Sequence, residues 1–430
     1  MAKMKVSKNK KRMEKYLAPS LGWDVEFTVE KAEGSYVTCE FGKTYLDWSS
    51  GTAVNITGHR HPKVMDAVKK QLDKLVHSGC VYQYDSLLDL CERLEKVTPG
   101  DIGMFFFSNS GAEAVEGCMK AAKFVTERNA IISYRGAFHG RTMGCVSVTT
   151  SNSKYTKHYT PLASIYRALY PHCYRCPLGL ELKSCNIACF KQFEAITKYE
   201  VPKEDVAAVL IEPVQGEGGY VVPPKEYMQK LRKWCTDNKV LLIFDEVQSG
   251  VARTGKWFAA DHFGVTPDLM AIAKGIASGF PLSAVAGKPS VMKKWLPGAH
   301  GTTFGGSPVS CAAACATIDV IEKEKLLAKS LKNSEKMMKR LNALKDKYKF
   351  IGDIRGLGYM LAIEFADKNK TPDKAKCDEF LAKCLENGLI MIGCGADGNI
   401  VRILPPVTSS DKEIEEGMTI IENTMKQIAK

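Results

Sequence analysis

Between residues 104 and 286 short apolar runs recur at 104–107, 130–132, 207–211, 240–244, 269–273 and 282–286. Each is too short for a helix and apolar apart from Ser283, as expected of a strand buried on both faces. The stretches between them are mostly helical or loop-like, so the pattern predicts an α/β fold with a large, mostly parallel sheet covered by helices. Helical spacing places Val64, Val68, Leu72 and Leu75 on one face of a segment over 62–75, and 84–97 reads the same way.

The two ends read differently. Residues 31–48 predict short strands around tight turns at Gly34 and Gly42. After the turn GTTFGGSP come helices over 309–324 and 326–345, strand-like pieces at 359–365, 389–392 and 400–404, and a helix near 374–386. The expected organisation is a basic tail and N-terminal segment over 1–60, a large domain over 61–310 with a cysteine-rich insertion at about 171–190, and a smaller α+β domain over 311–430 that packs with the N-terminal segment.

Composition narrows the function classes. With 430 residues, 45% hydrophobic and 25% charged, the chain has the makeup of an ordinary globular protein. The net charge of +12 is spread along the chain, and its one dense cluster, Lys3, Lys5, Lys8, Lys10, Lys11 and Arg12, reads as a solvated tail. Neither a nucleic acid nor a membrane is therefore an expected partner. No apolar stretch follows the cluster as in a secretion signal, and none reaches the roughly 18 residues of a membrane span, which predicts a cytoplasmic protein. An odd count of fifteen cysteines fits thiols kept reduced.

The candidate chemistry begins with Asp245 and Lys274. Each follows an apolar run, so each should emerge at the C-terminal rim of the sheet, where open α/β sheets place ligands. A lysine amine can form a Schiff base with an aldehyde cofactor while a fixed carboxylate keeps the cofactor's ring nitrogen protonated. The alternative is a structural salt bridge. In SNSGAEA, Ser110 and Glu113 have capping-box spacing, and the helix start with Gly111 could cradle a phosphate. FHGRTMG supplies Phe138, His139 and Arg141, an aromatic plate and a guanidinium suited to a carboxylate. Glu212, Gln215 and Glu217 leave another strand end, and Arg402 lies in a strand stopped by Pro405 and Pro406.

Taken together, these segments resemble the class III, or ω-aminotransferase, family of pyridoxal-phosphate enzymes. The stretch DEVQSGVARTGKWFAADHFGVTPDLMAIAKGIASGFPLSAV carries the likeness most specifically, and GHRHPKV, SNSGAEA, FHGRTMG, EPVQGEGG and TTFGGSP look most similar to the 4-aminobutyrate aminotransferases within it. The resemblance implies a fold-type I transferase using pyridoxal 5'-phosphate. Lys274 would be the Schiff-base lysine and Asp245 the partner of the ring nitrogen. Phe138 and Val247 would sandwich the ring beside His139, and Gln248 would contact its phenolic oxygen. Ser110, Gly111 and Ala112 would hold the phosphate, joined by Thr303 from the other subunit of a homodimer with shared sites, or of a higher oligomer.

The same resemblance implies an amino donor and a 2-oxo acid as substrates. Arg402 would bind the carboxylate beside the oxo group of 2-oxoglutarate, Glu217 would neutralise that arginine when an ω-amine binds, and Arg141 would take the distal carboxylate. The expected reaction converts 4-aminobutyrate to an aldehyde and 2-oxoglutarate to glutamate. Ornithine or acetylornithine as donor, and an amino-acid racemase or epimerase on the same scaffold, are the alternatives; Val54, Asn55 and Tyr82 do not decide between donors. Ser307 departs from the family's usual Asn. Cys173, Cys176, Cys185 and Cys189, spaced C-x2-C-x8-C-x3-C, leave three readings open: a zinc ion or iron–sulfur cluster, disulfides, or free thiols.

Overall fold

In the computed structural model, which describes residues 7–159 and 161–429, the six apolar runs become six strands of one seven-stranded sheet. Across it the order is Met104–Ser108, Ser283–Gly287, Leu269–Ile272, Leu241–Asp245, Val206–Ile211, Ala130–Tyr134 and Ile165–Ala168. Only Ser283–Gly287 runs against its neighbours; the other pairings are parallel.

Side-chain alternation splits the core into two layers. Leu210, Ile243, Ala271 and Val285 face the helix Gly111–Thr126, meeting Ala114, Val115, Cys118 and Ala122. Val209, Ile211, Leu242, Phe244, Met270 and Ile272 lie in the opposite layer with Leu231 and Cys235 of helix Lys225–Asp237 and Cys311, Ala314 and Ile318 of helix Pro308–Lys323. Covered on both sides, the central strands can be apolar at every position, which is why they read as unbroken runs. Because Val206–Ile211, Leu241–Asp245 and Leu269–Ile272 are parallel, their C-terminal ends share one rim. Register pairs Asp245 with Ala271, so Asp245 and the start of the turn at Lys274 stand side by side.

Two strands have no counterpart among the predicted elements. Ile165–Ala168 is an edge strand, and three of its four residues are only partly buried, so it lacks the signal. Ile351–Leu357 is interrupted by Gly352 and Gly356 and carries Asp353 and Arg355.

Residues near the two ends of the chain share a sheet. Val29–Glu33, Tyr36–Cys39 and Thr44–Asp47 form an antiparallel meander, and Leu389–Ile390 adds a parallel fourth strand. Trp48, fully buried, packs where a Cβ at Gly417 would overlap its ring, so helix Asp411–Ile428 needs glycine there. A third sheet joins Ile351–Leu357, Met360–Phe365, Ile400–Ile403 and Ile392–Cys394, and it carries Arg402 toward the rim. Lys3 and Lys5 lie outside the described residues. Lys10, Lys11 and Arg12 sit on a short helix, Lys10–Tyr16, with no buried residue. Among the described residues no helix is long and apolar enough to cross a membrane.

Candidate active site

Asp245 and Lys274 are neighbours at the rim without forming a salt bridge. The buried Asp245 carboxylate pairs instead with His139, whose Nδ1 lies 2.7 Å from Oδ2, and its Oδ1 accepts the Val247 N–H at 3.0 Å. Lys274 follows an extended Ala273 and takes φ 48°, a left-handed conformation uncommon for a side-chain-bearing residue and a recurrent mark of functional sites. Burial first, and then the charge of Arg402, pulls its amine from the usual lysine range down to about 8, against the raising effect of Asp245, Glu217 and Glu212.

Both residues open onto a cavity of about 330 Å³. Its walls include Ser110, Gly111, Ala112, Phe138, His139, Glu217, Val247 and Gln248, so most of the site residues expected from sequence converge there.

At one end stands the helix Gly111–Thr126. Ser110 caps it: its hydroxyl accepts the Glu113 N–H at 3.3 Å, and Glu113 accepts the Ser110 N–H at 2.7 Å. The first-turn N–H groups of Gly111 and Ala112 have no helical acceptor and suit an anion. Glycine is needed at 111 because a Cβ there would lie 2.7 Å from Val247 Cγ1. Gly140, at φ 131°, brings the 138–141 loop against the same turn, where a Cβ would stand 2.7 Å from that of Ala112.

Beneath the loop, Glu212 ties two segments together, accepting the Phe138 N–H at 2.9 Å and the Gly216 N–H at 2.8 Å. Burial raises its carboxyl pKa, partly offset by His139. Gln215 is structural, donating to the Arg135 carbonyl at 2.9 Å. Gln248 accepts the Tyr220 hydroxyl at 2.8 Å, which fixes its amide at the cavity wall.

At the other end Arg402 is buried, donating to Glu217 Oε2 at 3.0 Å and to the Gly393 carbonyl at 2.7 Å. The second Glu217 oxygen accepts the Tyr155 hydroxyl at 3.0 Å. Arg141 lies at the surface with its guanidinium 4.1 Å from the Tyr155 ring centre. Tyr155 is thus a site residue that sequence reasoning missed: it ends a 3₁₀ turn, Ser153–Tyr155, in a polar stretch with no periodicity to single it out.

Other expected positions lie apart. Thr303 is exposed and does not line the cavity of its own chain. Val54 lines it, Asn55 approaches His59 at 3.4 Å, and Tyr82 is largely exposed. Ser307 stands at the start of helix Pro308–Lys323 without a side-chain capping bond.

The fold brings Cys173, Cys176, Cys185 and Cys189 to one pocket. Among the described residues no three His, Cys, Asp or Glu side chains are grouped to hold a metal ion. The four thiols line a small apolar pocket with Pro171, Leu178 and Leu180, and all fifteen cysteines are free. Burial, then the neighbouring thiols, pushes the Cys189 thiol up to about 11.

The cavity fits an aldehyde cofactor with a phosphate and a ring nitrogen. Lys274 is a partly buried amine with no hydrogen bond or ion pair among the described residues, Asp245 is a fixed carboxylate, and Gly111 opens an anion cradle. With the parallel sheet and its rim, this defines a pyridoxal-phosphate-dependent transferase of fold type I. Residues 21–425 match the family described as Aminotransferase class-III, and the chain belongs to that family. It is 41% identical to the 5-aminovalerate aminotransferase DavT of Pseudomonas putida, over 93% of this chain and 94% of that protein. It is 42% identical to the 4-aminobutyrate aminotransferase GabT of Escherichia coli, over 91% and 92% respectively. A PLP-bound amine transaminase from an uncultivated Pseudomonas species superposes with a TM-score of 0.88 at 28% identity, covering 96% of this chain and 98% of that one.

Proposed function

We propose that this aminotransferase moves an amino group from an ω-amino acid, 4-aminobutyrate foremost, to 2-oxoglutarate, giving an aldehyde and glutamate. The observation that carries this reading is the buried Arg402–Glu217 pair, with Tyr155 joining Glu217 to the neighbourhood of Arg141. An ω-amine has no carboxylate beside its reacting carbon, so Arg402 needs a counter-charge in that half of the reaction and Glu217 provides one. A 2-oxo acid brings its own carboxylate and takes Glu217's place. Arg141 suits the distal carboxylate that 4-aminobutyrate and 2-oxoglutarate both possess.

Pyridoxal phosphate supplies an aldehyde that takes up the amino group and a ring that accepts electrons from the reacting carbon. The chain's residues do the rest. Gly111 and Ala112 N–H groups, with Ser110, would hold the phosphate; Phe138, Val247 and His139 would line the ring, and Gln248 would meet the phenolic oxygen. Asp245 would keep the ring nitrogen protonated. Lys274 would carry the proton between the substrate carbon and the aldehyde carbon.

The exposed Thr303 adjoins the exposed Phe304, which supports Thr303 completing a partner's phosphate site in a homodimer with shared active sites. The deciding experiment follows the cofactor's visible absorbance as 4-aminobutyrate, 5-aminovalerate, ornithine and β-alanine are added in turn. Bleaching by 4-aminobutyrate is expected; failure of all four overturns the reading. A racemase would use the same Lys274 to return the proton to the opposite face, and loss of optical activity from one enantiomer without any 2-oxo acid would identify it. The Arg402–Glu217 pair favours transfer, since a racemase has no need to alternate between two acids.

A further inference from the structure

Glu217 has two carboxylate oxygens and two partners. Arg402 donates to Oε2 at 3.0 Å and the Tyr155 hydroxyl to Oε1 at 3.0 Å. Tyr155 is only 8% exposed, so its hydroxyl has little access to water in place of Glu217. Phe138 meets its ring edge-on, with centroids 5.6 Å apart and planes at 75°, and the Arg141 guanidinium lies 4.1 Å from its centre and 5.7 Å from that of Phe138. One side chain thus touches both the carboxylate that masks Arg402 and the arginine suited to the distal carboxylate.

We propose that Tyr155 is a positioning residue that sets substrate preference: its hydroxyl holds Glu217 on Arg402, and its ring holds Arg141 ready for a distal carboxylate. This rests on the ω-amine reading above. Without the hydroxyl, Glu217 keeps only its bond to Arg402 and is displaced more easily by a carboxylate from a 2-oxo acid. Without the ring, Arg141 loses its platform.

Two variants of the cofactor-loaded enzyme divide these roles. Tyr155→Phe removes the hydroxyl and keeps the ring; Tyr155→Leu removes both. The first probe is glutarate, which has both carboxylates of 2-oxoglutarate but no oxo group to react, and its binding is read by calorimetry. In Tyr155→Phe glutarate should bind roughly tenfold tighter, the equivalent of one hydrogen bond to a charged group. The KM for 4-aminobutyrate should rise by a similar factor, with kcat little changed. Tyr155→Leu should lose the glutarate gain and weaken 4-aminobutyrate further. A side chain that merely fills space would move both ligands in the same direction; that outcome, or an unchanged glutarate affinity in Tyr155→Phe, overturns the proposal. If the unaltered enzyme reacts with no ω-amine, the donor reading fails by itself, and the glutarate titration still decides the role of Tyr155.

Discussion

His139 Nδ1 lies 2.7 Å from Asp245 Oδ2 while the backbone N–H of Val247 reaches the other oxygen at 3.0 Å, so both carboxylate oxygens are oriented before any cofactor arrives. A buried carboxylate held in this way keeps its direction. It can then face a ring nitrogen without rearranging.

The first prediction follows from that carboxylate. Asp245→Asn preserves shape and the Val247 contact but cannot hold the ring nitrogen protonated. It should lower kcat by on the order of 10²–10³, the scale of losing one preorganised electrostatic contact. The cofactor's linkage to Lys274, seen as its visible absorbance band, should persist. Loss of the band along with activity would assign Asp245 to cofactor retention instead.

Lys274 invites the reverse experiment. Its amine is drawn down to about 8 in the folded chain, so between about 8 and the usual value of 10.5 the unfolded chain binds more protons than the folded one. Stability of the cofactor-free enzyme should therefore gain from this group as pH rises through that window, and the burial penalty should be fully present below it. Lys274→Met, which removes the charge and keeps the bulk, should stabilise the cofactor-free protein at pH 7 by about 1–3 kcal/mol. Denaturant titration at pH 7 and pH 10 checks both the sign and the shrinking difference. The same variant should lack the visible band with cofactor, and the rate at which the unaltered protein captures cofactor should rise with pH around a midpoint near 8.

Gly111 links the phosphate cradle to the ring pocket through Val247. Gly111→Ala puts a methyl 2.7 Å from Val247 Cγ1, so either the helix start or the valine must move. Cofactor affinity should fall by about tenfold or more, an effect of about 1.4 kcal/mol or greater. Pairing it with Val247→Ala, which removes the obstructing γ-carbons, should restore part of that loss in fluorescence titrations. No restoration would mean that the backbone conformation at 111, rather than the clash, is responsible.

Glu217→Ala leaves Arg402 buried with one carbonyl partner and no carboxylate. The KM for ω-amine donors should rise by at least about tenfold, since breaking one side of a buried pair is costly. Amino acids with a carboxylate beside the amine should become better substrates. Half-reaction rates with 4-aminobutyrate and with alanine measure the exchange directly.

How much of this was legible in the chain depends on what each residue packs against. The six sheet strands covered on both faces announced themselves as apolar runs, and the rim positions of Asp245 and Lys274 followed from where those runs stop. The antiparallel seat of Ser283–Gly287 between Met104–Ser108 and Leu269–Ile272 did not, because strand direction leaves no trace in an apolar run. Edge position hid Ile165–Ala168 and glycines hid Ile351–Leu357. Within the site, family motifs marked Ser110, His139, Gln248 and Arg402, whereas Tyr155 acquires its meaning only from Glu217 and Arg141, which the fold brings to it. The cysteine spacing left a metal, disulfides or free thiols open, and what the fold adds is that all four thiols line one small apolar pocket.

The pairing of Leu46 with Leu389 gives the molecule a late-closing seam. On a ribosome the meander emerges well before its fourth strand and must wait, its open edge unpaired, until residue 389 has been made. Truncation shortly before Leu389 should therefore expose that edge and drive association between chains, although every strand of the large sheet would already be present.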